Sequence, residues 1–347
     1  SNDTYCATSD FYKNQATPSP ISAGFSMTAI TEPQTSTAGT NPDQNVATFG
    51  AFTVPTGMTS VNFKIWGAGG GTGAPGSGYG GGGGFSSGTL AVTASQSLKI
   101  GVGEGGNNAN DNLEEAAKTS PAGAAVGGTN GRYDPSNNPS SHGGAGGGGS
   151  GITSETSTAE YATFPGSRGT VPAPSVYAVA GAGGGGGSHC GTPGVPGGHG
   201  YAGAGGGLTG NAGGPGGGTQ NEQTNAGQNH PQAPQQGQVT GGGGDQEQGG
   251  QGGNGGLFYG GTGKYSSAGG GYYGGGGMGY PGGHTANGGG SSYHGHPQIT
   301  SGSTEEGQSI SGGGESDPQY QPSTNDGGSK DANITDPGDD GYALLTG

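Results

Sequence analysis

"GAGGGGGSHCGTPGVPGGHGYAGAGGGLTG", residues 181–210, places sixteen glycines in thirty positions, and the way it is read decides the fold. Glycine loses more conformational freedom on ordering than any other residue. Almost no side chain is present to offset the roughly 1–2 kcal/mol of backbone entropy per residue. A disordered linker is the default for such a composition. The alternative is a bundle of extended helices with three residues per turn, each N–H and C=O bonded to a neighbouring segment. The expectation here is the bundle, a polyglycine-II arrangement that folds by hydrogen bonding between segments instead of by a core.

Other glycine blocks share the texture, at 67–84, 143–151, 241–256 and 269–290, and the first block extends to 218. "GGQGGNGG" and "GGGGG" break the Gly-X-Y frame, which excludes a collagen triple helix. Between the blocks lie short alternating runs. In "SVNFKIW" (60–66), Val61, Phe63 and Ile65 alternate with Asn62 and Lys64, the period-two pattern of a half-buried strand. "NVATFGAFTVP" (45–55) precedes it, joined by the turn-like "TGMT". "FSSGTLAVTA" (85–94) and "QSLKIGVGEGG" (96–106) make a second pair, and "PSVYAVAG" (174–181) and "DDGYALLTG" (339–347) complete six expected strands. One helix is expected, at "NDNLEEAAK" (110–118), capped by Asn or Asp with glutamates in its first turns.

The totals bound the rest. With 94 Gly, 22 Pro and 25% hydrophobic residues in 347, there is material for one modest core and not for two domains. Residues 1–44 are polar with only two glycines and read as an extended arm; 45–347 reads as one domain. Eight Lys+Arg against 23 Asp+Glu give a net charge of -15. That balance excludes phosphate-backbone binding and leaves little attraction for anionic membranes. No run of 18 apolar residues is present to cross a bilayer. The opening "SNDTYCATSDFYKNQ" looks like a mature end after signal removal, so secretion to the extracellular space or cell surface is expected. Secretion favours a disulfide between Cys6 and Cys190 over two free thiols, within one chain or between two. Asn2 (N-D-T) and Asn333 (N-I-T) are glycosylation sequons.

The order "FTVPTGMTSVNFKIWGAGGG" then "GGGGGFSSGTLAVTASQSLKIGVGEGG", with a late "AVAGAGGGGG", resembles the glycine-rich domain of bacterial and phage surface proteins. It is also similar to the extracellular glycine-rich region of the anaplastic lymphoma kinase receptor. The resemblance covers about residues 46–190. It implies a small jelly-roll-like β-sandwich, mostly β, with polyglycine-II helices inserted between its strands. "PGDDGYALLTG" is similar to the closing strand that returns beside the first. This sequence carries neither kinase nor fibre shaft, so receptor ligands and phage hosts are not carried over.

Candidate sites are few. "GAGGGTG" (67–73) follows a strand but lacks the Lys and helix of a phosphate loop. The histidines, including His189 beside Cys190 and the pair His294 and His296, fall short of zinc spacing and read as exposed polar side chains. Asp331, Asp336, Asp339 and Asp340 gather in "DANITDPGDDGY", a candidate for calcium that departs from the EF-hand loop and otherwise reads as a solvated acidic turn. No catalytic constellation emerges, and neither enzyme activity nor a cofactor is expected. "LFYGGTGKYSSAGGGYYGGGGMGYPGG" (257–283) concentrates Phe258, Tyr259, Tyr265, Tyr272, Tyr273 and Tyr280. These either seal the bundle against the sandwich or form a contact surface for another subunit or a glycan. In the arm, Ile21, Phe25, Met27 and Ile30 are spaced to clip onto a sheet edge. The function expected is a secreted structural subunit polymerising through its arm and sheet edges. A glycan-binding adhesin and a ligand-binding ectodomain are the alternatives.

Overall fold

The computed structural model describes residues 50–73, 78–106, 108, 144–154, 176–186, 202–207, 210–211, 260, 268–272, 274–275, 287–328 and 336–347. The strands are β1 (Gly50–Thr53), β2 (Ser60–Trp66), β3 (Phe85–Ala91), β4 (Ser97–Gly101), β5 (Ser150–Ser154), β6 (Val176–Ala180), β7 (Ile299–Glu305) and β8 (Tyr342–Thr346). They form two four-stranded antiparallel sheets, ordered β1-β4-β5-β6 and β7-β3-β2-β8. The fold is mostly β.

Alternation decides which side chains face inward. Val61, Phe63 and Ile65 of β2, Leu90 of β3, and Ala343 and Leu345 of β8 meet Phe52, Leu98, Ile100, Ile152, Ala178 and Ala180 of the other sheet, all buried. This is the ordinary side-chain filling of a two-sheet sandwich. Burial of one such aliphatic contributes on the order of 1.5–3 kcal/mol.

Beyond the sandwich the side chains stop and the pairing does not. β2 and β3 end their ladder at Trp66↔Phe85. Directly past it, Gly67, Gly70 and Gly73 donate to the carbonyls of Gly84, Gly81 and Gly78 at 2.8–3.0 Å. β2 and β8 end at Trp66↔Tyr342, after which Gly69 and Thr72 donate to Asp339 and Asp336. β5 and β6 pair at Ser150↔Ala180, after which Gly147 and Gly144 donate to Gly183 and Gly186. The interval between bonds to one partner becomes three residues, the turn of polyglycine II.

Three residues per turn let one segment address several neighbours. Residues 67–73 donate to 78–84, to 144–149 (Ala68 to Gly148, Gly71 to Ala145) and to 336–341, and accept from Gly183 and Gly186, from Gly106 and from Gly328. Six segments therefore surround them. Residues 181–186 are likewise surrounded by 67–73, 78–84, 144–149, 202–207, 268–272 and 287–292. Where the sandwich holds its two sheets apart with side chains, the bundle bonds the same two layers backbone to backbone. Serines mediate at the junction: the hydroxyl of Ser150 accepts from the N–H of Gly103 at 2.9 Å. That of Ser292 accepts from Gly181 at 3.0 Å and donates to the carbonyl of Gly206 at 2.7 Å.

Several expectations change. The runs expected as pairs, β1 with β2 and β3 with β4, do not bond to each other; in each case the connecting turn carries the chain from one sheet to the other. The closing strand β8 lies beside β2, not beside the first strand. β5 and β7 stand where no strand was expected. The helix expected at 110–118 lies outside the described residues.

Candidate functional site

The outer face of β2 is built up in the opposite sense from its inner face. Trp66, Phe85, Tyr342 and Leu344 form a second buried cluster there, with Tyr320 packed against it. The Trp66 ring lies 4.8 Å from Phe85, 5.3 Å from Tyr342 and 6.5 Å from Tyr320, all tilted. The segment after β7 folds over this cluster. Gly314 takes a left-handed φ of 78° and seats its Cα against the Phe85 ring and Trp66 Nε1, where a Cβ would meet both. Three residues on, Asp317 receives Lys64 Nζ on both carboxylate oxygens, at 2.8 and 2.7 Å. Both side chains are partly exposed, so the pair contributes modestly. Trp66 Nε1 is buried without a partner among the described residues.

Acidic groups gather beside the cluster. The Tyr320 hydroxyl donates to the Thr324 carbonyl at 2.8 Å. Its pKa is raised far above the usual phenol value, first by burial and then by Asp326, Glu315 and Asp339. Burial also pushes Tyr342 up to about 12. Asp340 is turned into the bundle, where its Oδ1 accepts from the N–H of Gly105 at 2.8 Å. Burial raises its pKa, and the Gly105 hydrogen bond opposes that rise. Asn325, with a left-handed φ of 54°, is fully buried and donates its amide to the carbonyls of Gly83 and Gly313.

On the other side, Tyr272 is buried and stacked on Tyr293, ring centroids 4.0 Å apart and 12° from parallel. Tyr293 exchanges backbone bonds with Val179 on the edge of β6. Tyr272 therefore seals the bundle against the sandwich instead of offering a contact surface. Phe258, Tyr259, Tyr265, Tyr273 and Tyr280 lie outside the described residues, as do Cys6, Cys190, Asn2, Asn333, Asp331, Ile21, Phe25, Met27 and Ile30.

Two expectations are corrected. His296 is buried, its ring edge-on to Tyr177 at 4.8 Å and its Nδ1 accepting from the N–H of Gln298. Asp340 is not a solvated turn residue, because the segment 336–341 is a working member of the bundle. Among the described residues no group of three or more His, Cys, Asp or Glu could hold a metal ion, and no helix is long and apolar enough to cross a membrane.

Comparison with known families also picks out the glycine-rich part of the chain. The model of the family described as "Glycine-rich domain" matches residues 44–259. The chain belongs to the glycine-rich domain family. No curated protein matches the chain in sequence. The matched span of this glycine-rich domain contains β1 to β6 and both of the fully surrounded segments, 67–73 and 181–186. The segments beyond residue 259 supply β7, β8 and four of the twelve neighbour contacts just described, through 328, 336–341, 268–272 and 287–292. The residues that sequence reasoning missed are Lys64 with Asp317 and the buried Asn325. Their partners lie 253 and 242 residues away in the chain, so no local pattern announces them.

Proposed function

We propose that this glycine-rich domain is a secreted structural subunit of an extracellular filament or surface assembly, joined to its neighbours through the N-terminal arm and the sheet edges. The observation that supports this most is the unbroken passage of the β2–β3, β2–β8 and β5–β6 pairs into the bundle. Force applied to any of these strands is shared at once with several bonded neighbours, a property suited to carrying load. The arm supplies the reach, and strands at the ends of a sheet are templates for pairing. No reacting group is required of it, and no enzyme activity is proposed.

The test is electron microscopy and light scattering on the full chain and on a chain lacking residues 1–44. Polymers of the full chain and folded monomers of the truncated one are expected; native-looking polymers without the arm would sink the idea. A glycan-binding role is the second reading. It is favoured by the polar outer face of β3 and its neighbours, where Thr89 bonds Asn62 at 2.7 Å and Ser87 bonds Ser303 at 3.0 Å, all in exposed positions. Binding on a glycan array, lost on substituting Asn62 and Thr89, would favour that reading.

A further inference from the structure

We infer that the outer face of the β7-β3-β2-β8 sheet binds an uncharged, unbranched oligosaccharide laid across the strands; the inference rests on the glycan-binding reading and names its ligand class. The pairing registers place the side chains. Asn62 lies opposite Thr346 of β8 on one side and Thr89 of β3 on the other, and Thr89 lies opposite Thr300 of β7. Val61 and Phe63, which flank Asn62, are in the core, so the four form one row on the outer face. The row crosses the whole sheet, about 14 Å at the usual strand separation. One step along the strands, about 7 Å away, Ser87 lies opposite Ser303. Asn62, Thr300 and Ser303 are exposed in the folded chain, and Ser87, Thr89 and Thr346 partly so.

β7 is bent to complete this face. Thr300 and Ser303 are three residues apart, and unbroken alternation would turn one of them inward. The register shift between Ser87 and Thr89 inserts one residue, and Ser301 takes a left-handed φ of 54° beside it. Gly302 lies against the His294 ring, which a Cβ there would strike. A bulge that re-aims side chains and a strained residue other than glycine both concentrate at functional sites.

The polar groups of the face already fix one another. Thr89 Oγ1 donates to Asn62 Oδ1 at 2.7 Å, and the Ser87 and Ser303 hydroxyls share a bond of 3.0 Å. The first bond leaves the Asn62 amide to donate and the Thr89 oxygen to accept, side by side. Two neighbouring sugar hydroxyls satisfy that pair. Side chains held in advance lose little further freedom on binding. Strands stand about 4.8 Å apart, close to the length of one ring in an extended sugar chain, so successive sugars meet successive strands. Charge selects within the class. Lys64, opposite Ser87, is engaged by both oxygens of Asp317, and Glu305 ends β7 just beyond Ser303. Among the described residues the face thus offers an anion and no uncommitted cation, which disfavours uronic and sulfated sugars.

The test is an array of neutral hexasaccharides and their carboxylated counterparts, probed with the full chain, then calorimetric titration with the neutral member that binds best. Binding to neutral members alone is expected. Thr300→Val and Thr346→Val keep the side-chain shape and remove only a hydroxyl, at opposite ends of the row. Each should weaken binding roughly fivefold, as for one lost hydrogen bond, while Ser97→Ala on the other sheet leaves it unchanged. Glu305→Gln should admit carboxylated members. Preference of the parent for carboxylated members, or full affinity in both valine variants, overturns this inference and leaves a glycan-binding role standing. Binding to no glycan overturns both.

Discussion

The N–H of Gly67 meets the carbonyl of Gly84 at 2.9 Å, one step beyond the Trp66↔Phe85 pair that closes the β2–β3 ladder. Sheet and bundle are thus one hydrogen-bonded body, and the change from two-residue to three-residue spacing happens within a single peptide unit. The consequences for substitution are direct.

Gly185 is ringed by backbone: a Cβ there would run into the carbonyl of Gly144 and the carbonyl carbon of Ala145. No flexible side chain is present to yield. Gly185→Val should cost more than the roughly 1–3 kcal/mol of ordinary overpacking and prevent a cooperative thermal transition. Gly207→Ala is the control. Its Cβ would meet Thr304 Oγ1 at 3.5 Å and the Glu306 backbone nitrogen at 4.0 Å, both ordinary contacts, and its melting temperature should stay near that of the parent. Equal melting of all three chains would mean that 181–186 is not an enclosed segment.

Stability should rise as pH falls. The folded Asp340 carboxyl has its pKa raised by burial. Its contribution is therefore complete below the unfolded carboxylate value, about 3.9, and is lost as pH climbs through the folded value. Asp340→Asn, whose side-chain oxygen can still accept from Gly105, should flatten the dependence and match or exceed the parent at pH 7. Urea unfolding at a series of pH values checks this; a steeper dependence in the variant would contradict it.

Alkaline titration of the phenols should proceed in stages. Tyr342 is held at about 12 and Tyr177, Tyr293 and Tyr320 are raised by burial. These four should remain protonated after exposed tyrosines ionise near 10. Because their folded values are raised, the stability they confer is lost as pH rises beyond 10. Absorbance at 295 nm showing every phenol titrating together near 10 in the folded protein would count against the buried cluster.

Trp66 is the single tryptophan of the chain, which makes it a reporter of the segment folded over it. Asp317→Ala removes the partner of Lys64. For a partly exposed pair the expected loss of stability is about 1 kcal/mol or less, smaller still in high salt. The segment holding Gly314 should nevertheless loosen, and acrylamide should quench Trp66 several-fold better than in the parent. Unchanged quenching would show that the pair does not hold that segment down.

The legibility of this fold in its sequence follows from where side chains exist to carry information. β2 could be read because Val61, Phe63 and Ile65 alternate. β1, β3, β4, β6 and β8 likewise fall within expected runs. β5, "SGITS", and β7, "ITSGSTE", each carry one aliphatic residue, Ile152 and Ile299, among small polar ones. Their strand state is imposed by neighbouring strands, so propensity and alternation are silent. The bundle was legible as a type and not as a pattern of neighbours. Nothing in the glycines of 67–73 names the six segments around them; that choice is made by the strands on either flank. His296 misled because a polar, glycine-rich sequence around it suggested solvent, whereas Tyr177 on β6 covers it.

The connections from 73 to 78, 106 to 144, 186 to 202 and 328 to 336 all leave and re-enter the bundle at the end away from the sandwich. Among the described residues, the bonds that fix the paired segments lie between those points and the sandwich. The sandwich therefore acts as a root and the far end of the bundle as a crown. Changes in the length or wording of those connections are expected to leave the register of the described bonds below them untouched. A lineage carrying this domain is free to rewrite its crown while inheriting its root.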